Sequence, residues 1–155
     1  MAELSQSTAD AGGVAGAMKR EGNKEFIYAY CAAAETRGKV RVITFDGDEE
    51  TNPTAAAPAT ETTVYQTVGV ATVSTTAAGF LWYQIKGDCE ALVEGTTDVA
   101  KDDFLEVLNG ETSFKKDGTS RTVNSVAIAR EAQASNSSVL TDVYLLGDRV
   151  NIAAS

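Results

Sequence analysis

Phe26-Ile27-Tyr28-Ala29-Tyr30-Cys31 sets an aromatic side chain at every second position, with small or aliphatic residues between them. Successive side chains of a strand point to opposite faces, so this alternation predicts a β-strand with two different faces. The same period recurs downstream. Residues 39–45 (KVRVITF) follow the punctuation of Gly38, and residues 64–73 (VYQTVGVATV) carry Gly69 inside the run, which predicts a bulge or a close backbone approach. Residues 80–86 (FLWYQIK) hold the densest aromatic cluster, and Gly87-Asp88 reads as a turn before 89–94 (CEALVE). Residues 104–108 precede Asn109-Gly110, a hairpin-type dipeptide, and Asp117-Gly118 is a second one. Residues 123–130 fit strand or helix, with a helical turn expected around 127–134. Residues 139–146 and 150–152 close the series.

Eight or nine short strands with frequent turn signals predict an all-β fold, a β-sandwich or small β-barrel. Residues 26–155 form its single domain. Within it, residues 46–62 (DGDEETNPTAAAPATET) hold both prolines and predict a long exposed loop. Residues 1–25 differ: they are rich in glycine and poor in large apolar side chains, and read as an extended N-terminal arm. A weak helix is expected over 14–21, with Lys19 and Arg20 in its last turn and Gly22-Asn23 as its stop.

Composition narrows the function. The 155 residues include 24 Ala and 18 Thr, whereas Val, Leu, Ile and Phe together supply only 33. A folded monomer is therefore expected to have a thin core. The formal charge is −9, divided as −1 over residues 1–25, −2 over 26–60 and −6 over 61–155. An acidic chain without a basic cluster repels a phosphate backbone, so nucleic acid is not an expected partner. There is no histidine, which removes Ser-His-Asp and Cys-His catalysis and every His-ligated metal site. No apolar run approaches the ~20 residues of a membrane helix. The opening MAELSQSTAD has no basic or apolar region of a signal peptide, so no export signal is expected.

The remaining constellations are weak. Asp46-Gly47-Asp48-Glu49-Glu50 begins like a calcium loop, but the sixth position is Thr51 rather than Gly and the twelfth Ala57 rather than Glu. Asp98, Asp102, Asp103 and Glu106 read as turn-forming acids rather than an acid–base pair. Cys31 and Cys89 have no metal-ligand spacing and read as two small buried residues. No G-x-S-x-G, G-x-G-x-x-G or P-loop pattern occurs. No catalytic residue, metal or cofactor is expected. In a strand, Phe80 and Trp82 share one face and Leu81 and Tyr83 the other, which predicts one core face and one face for contact.

Val68-Gly69-Val70-Ala71, Ala77-Ala78-Gly79 and Ile85-Lys86-Gly87 resemble the "G-V-A … A-G … V-x-G" pattern of small capsid decoration (cement) proteins of tailed bacteriophages. Residues 96–105 (TTDVAKDDFL) are similar to their "V-x-x-G-D-x-L" turn. Residues 126–132 (VAIAREA) and 143–147 (VYLLG) are similar to their closing "G-x-A-x-E-A … V-x-L" hairpin. Asp102 and Ser125 stand where the pattern has glycine. The resemblance spans residues 64–150. It implies a virion protein on the capsid exterior, assembled in the host cytoplasm, commonly a homotrimer, whose arm reaches the major capsid protein. Contact with the capsid or with neighbouring subunits is expected at Val14, Met18, Phe26, Tyr28, Tyr30, Trp82 and Tyr83. The other expectation is a virion-exposed, adhesin-like domain that binds a host glycan through Trp82 and Tyr83.

Overall fold

The computed structural model describes residues 14–45, 53–59, 66–118, 125–147 and 149–150. Residues 1–13 of the expected arm, the acidic run 46–50 and residues 151–152 of the expected last strand lie outside the described residues. The described residues form strands and no helix: β1 (Met18–Glu21), β2 (Lys24–Cys31), β3 (Val40–Thr44), β4 (Thr54–Ala56), β5 (Gln66–Ala71), β6 (Gly79–Glu94), β7 (Phe104–Glu106), β8 (Lys115–Lys116), β9 (Ser125–Ala129), β10 (Ser138–Leu145) and β11 (Arg149–Val150).

Five strands close on themselves. β2 pairs with β4, β4 with β3, β3 with β5, β5 with β6, and β6 returns to β2. All of these pairs are antiparallel except β2–β4. Of the two all-β forms expected, a β-sandwich or a small β-barrel, these five strands make the barrel. β6 then leaves the barrel and pairs along its second half with β10, from Leu145↔Gly87 to Ser138↔Glu94. β9, β7 and β8 extend that second sheet. The expected turn at Gly87-Asp88 is thus a change of partner inside one 16-residue strand. The Gln84 amide explains how β6 passes it: Nε2 donates to the carbonyl oxygens of Lys86 (3.0 Å) and Asp88 (2.8 Å) where the ladder switches neighbours.

Period two sorts the side chains into two main cores. Ile27, Ala29, Cys31, Ile43, Ala55, Ala71, Leu81 and Tyr83 fill the barrel. Val40, Val42, Val68 and Val70 point the other way, out of the β3–β5 wall, and bury against Val93, Leu105, Phe114, Val143 and Leu145 of the second sheet and its loops. Each buried valine or leucine contributes about 1.5–3 kcal/mol. The thinness of the composition is met by using both faces of the same strands. Gly69 is a close approach inside the barrel: a β-carbon there would lie 3.1 Å from Tyr83 Cβ. The expected close approach is the packing of β5 against that ring.

Three local expectations are corrected. Residues 14–21 are not helical; their second half is β1, which pairs antiparallel with β2 (Met18↔Ile27 to Glu21↔Lys24). Gly22-Asn23 is a two-residue hairpin turn, with Gly22 at φ 62° where a side chain would be strained. A four-residue polar segment buries too little to hold a helix, whereas the edge of β2 offers a ready ladder. Within the loop expected over 46–62, β4 closes the barrel, with Pro53, Ala55 and Pro58 buried. A small side chain suffices at Ala55 because the rings and branched chains opposite already fill the interior. The helical turn expected around 127–134 is β9 followed by a loop that Gln133 anchors, its Nε2 donating to Val93 O at 2.6 Å.

Candidate interaction surface

β1 and the residues before it lie along the edge of β2. The Gly16 amide donates to Tyr28 O and the Tyr28 amide to Ala17 O, both at 2.9 Å. Lys19 stands opposite Phe26 and folds over the outer face of the barrel. Its Nζ lies 5.0 Å from the Phe26 ring centroid and 4.9 Å from that of Trp82, and 3.1 Å from the Glu21 carboxylate. An ammonium over two ring faces is attracted by their quadrupoles. Beneath it Tyr28 stacks on Phe80 at 5.5 Å and tilts against Trp82 at 4.9 Å, and Tyr30 meets Phe80 edge-on at 5.3 Å. Residues 14–21 thus form a strap across an aromatic face.

The seven residues expected at contacts separate into two groups. Val14 and Met18 are 70% and 58% exposed on the strap. Phe26, Tyr28, Trp82 and Tyr83 are buried, and Tyr30 is half-buried. Both faces of β6 are covered at this point, so the expected division into core face and contact face does not hold there. Tyr83 fills the barrel, and Trp82 lies under Lys19. Phe45, which the sequence did not single out, is 59% exposed and lies beside Gly16, next to Pro53. It continues the inward register of Ile43, but β3 ends at Thr44, so its ring falls past the rim of the barrel. An apolar residue in register one position beyond a strand end was the available signal. Val14, Met18 and Phe45 place exposed apolar side chains on and beside the strap.

A second feature sits inside the barrel. The Glu35 side chain is 0% exposed. Its carboxylate accepts from Arg41 Nε (2.9 Å) and Nη2 (2.8 Å), from the Tyr83 hydroxyl (2.7 Å), from the Thr36 amide (3.0 Å) and from the Cys31 thiol (3.6 Å). Burial pushes against its charge, but these donors, led by Arg41, hold the carboxyl below its ordinary range. Tyr83 is raised, by burial and by the facing carboxylate, and stays protonated as a donor. Both oxygens are occupied and the side chain is closed off from solvent, so the cluster is a pin. Glu35 also ties two loops, its amide donating to Thr75 Oγ1 at 3.0 Å. The missed signal is Arg41 itself: it shares the inward parity of Ile43 and so requires a buried counter-charge.

A groove of about 790 Å³ runs between the barrel and the second sheet. Val70, Cys89 and Val143 line it, and an Arg37–Glu90 ion pair sits at its rim together with Arg130 and Asp142. Burial, reinforced by Asp88, Asp142 and Glu90, pushes the Cys89 thiol up to about 12, so it is no nucleophile at neutral pH. Both cysteines are free. Among the expected acids, Asp103 behaves as a turn former, accepting from the Ala100 amide at 2.8 Å and pairing with Lys116 at 3.1 Å. Glu106 is raised by burial and by Asp117, to which Ser125 donates a short hydrogen bond. Among the described residues no three His, Cys, Asp or Glu side chains are placed to hold a metal ion. No protein-family model and no curated protein matches the chain.

Proposed function

We propose that the chain is a virion structural protein: a capsid decoration subunit that binds the outside of a major capsid shell and stabilises it by non-covalent, multivalent contacts. The observation that carries this is the set of exposed apolar side chains on and beside the strap, Val14 and Met18 with Phe45 next to Gly16, on an acidic chain. Exposed apolar groups gathered on one part of a subunit mark a protein contact. The motif resemblance over residues 64–150 supplies the class of partner. A homotrimer multiplies a weak contact into tight binding, because each further arm binds at a high effective concentration. The acidity lies mainly in residues 61–155, which suits a subunit that stays in water on the virion exterior, away from nucleic acid and membrane. A glycan platform on Trp82 and Tyr83 gains no support, since both rings are buried.

The test is co-sedimentation with shells assembled from a tailed-bacteriophage major capsid protein, with mass photometry of the free chain. Binding is expected, together with a rise in shell heat resistance. A Val14→Asp, Met18→Asp, Phe45→Asp triple variant is expected to lose at least tenfold in affinity while keeping its own melting temperature. A chain that stays monomeric and never sediments with shells would overturn the proposal.

A further inference from the structure

The strap is lightly held. Like β8 and β11, β1 pairs with a single strand among the described residues, in its case β2. Of its side chains only Lys19, 11% exposed, reaches far into the fold; Met18 is mostly in solvent. The surface it covers is the reverse: Phe26, Tyr28 and Trp82 are 6%, 2% and 1% exposed. Little apolar area is therefore lost when the strap lifts on its own account, yet lifting uncovers three aromatic residues and the hydrogen-bonding edge of β2. An edge strand held by few buried side chains opens below the global unfolding energy. An uncovered edge and aromatic face do not persist in water; they are refilled by whatever strand fits.

From this geometry we propose that β1 is an exchangeable strand: residues 14–21 of one copy lift at the Gly22-Asn23 hinge and take the same place on β2 of a second copy, Lys19 seated over the partner copy's Phe26–Trp82 face. The occupant follows from complementarity already on display. The register Met18↔Ile27 to Glu21↔Lys24 and the ammonium over two rings are satisfied identically in cis and in trans. The hinge is only two residues long, and a short hairpin that opens into one continuous strand is the usual route to exchange between identical subunits. The closed state is then self-masking: the free chain covers its own aromatic face and presents it only to a copy whose strap is also open.

Two measurements on the full chain test this. In hydrogen exchange followed by NMR, the amides of Gly16 and Tyr28, which bond across the strap, are compared with those of Val40 and Ala71, which bond to Thr112 O and Lys39 O in the body. The strap amides are expected to exchange at least 100-fold faster. A Lys19→Met change is expected to speed them a further 5- to 10-fold and leave Val40 and Ala71 unmoved. Exchange of all four at one rate would overturn the proposal. Second, Arg20 and Glu25 face each other across the hairpin, at a spacing a disulfide can span. An Arg20→Cys, Glu25→Cys variant, incubated reduced at rising concentration and then oxidised, reports which chain's strap lies on which β2. Cys31 is buried and the protonated Cys89 thiol is slow to react, so the new pair dominates. Exchange predicts covalent multimers whose share grows with concentration and incubation time. An intrachain bond alone at every concentration would overturn it, and Lys19→Met in the wild-type background keeps the first test open should the double variant fold poorly.

Discussion

Tyr83 and Trp82 are neighbours on β6, and each meets a charged side chain, yet the two encounters are built differently. On the inner face Tyr83 donates to Glu35, a carboxylate enclosed by Arg41, Thr36 and Cys31 and cut off from water. On the outer face Trp82 lies under Lys19, an ammonium that arrives on an edge strand and keeps one side near solvent. The inner charge is held by groups from several parts of the chain and cannot leave without unfolding. The outer charge rides on an edge strand and can lift with it. A wall one residue thick therefore carries a fixed face and an adjustable face, and the difference is made by whether the strand that brings the charge is built into the barrel.

The inner charge is the costlier of the two to remove. Glu35→Ala leaves the Arg41 guanidinium, 13% exposed, without its partner, and strips the Tyr83 hydroxyl of its acceptor. Breaking one side of a buried ion pair costs about 3–5 kcal/mol. In thermal unfolding at neutral pH this appears as a fall in Tm of roughly 10 °C or more. A loss below about 1 kcal/mol would mean that water reaches Glu35 and that the inner face is not fixed.

Acid acts on the same group more gently. The folded Glu35 carboxyl lies below its ordinary value of 4.5, so the unfolded chain takes up the proton first as pH falls. Its contribution is fully present above about 4.5 and drains away as pH drops through the folded value. Glu106 has the opposite sign: burial and Asp117 raise it, the folded chain takes up its proton first, and its penalty at neutral pH is relieved on acidification. Urea midpoints between pH 7 and pH 3 should fall less steeply in Glu35→Gln than in the wild type. Glu106→Gln should instead be more stable than the wild type at neutral pH, with the advantage fading in acid. A wild-type and Glu35→Gln pair with parallel profiles would show that Glu35 titrates alike in both states.

Gly69 probes the packing that presses Tyr83 towards Glu35. A methyl group there meets Tyr83 Cβ at 3.1 Å, on a rigid part of the side chain. Gly69→Ala should cost on the order of 1–3 kcal/mol, measured as a lower urea midpoint with an unchanged slope. An unchanged midpoint would mean that β5 can draw back from β6.

The sequence was most informative where one strand face differs from the other. Residues 26–31, 39–45 and 139–146 alternate, and each coincides within two residues with an observed strand. β4 was hidden because Thr54-Ala55-Ala56 offers no contrast between faces; it is a strand because β2 and β3 leave a gap of its width. β1 was hidden because its ladder is supplied by β2 and not by its own polar residues. Period two placed Trp82 and Tyr83 on opposite faces correctly but could not say that both faces are covered, since the cover comes from a strand read as helix. Glu35 was the least legible, because its partners stand 4, 6 and 48 residues away and meet only in the closed barrel.

The smallest expected effect belongs to the outer charge. Lys19→Met keeps the stem over Phe26 and Trp82 but removes the ammonium and its pairing with Glu21. A partly solvated cation–π contact is worth about 0.5–1 kcal/mol, and a surface ion pair adds little. Global stability should therefore fall by less than about 1 kcal/mol, several times less than for Glu35→Ala. The local consequence should be plain all the same. Trp82 is the sole tryptophan, so its emission and its quenching by iodide report the outer face alone. In Lys19→Met, quenching should rise at temperatures where the far-ultraviolet signal of the β-body is unchanged. In Glu35→Ala the two signals should move together, because loss of the inner charge is felt through the whole fold. Were Lys19→Met to shift quenching and unfolding by the same amount, the strap would be as integral as the pin, and the two faces of β6 would be equally fixed.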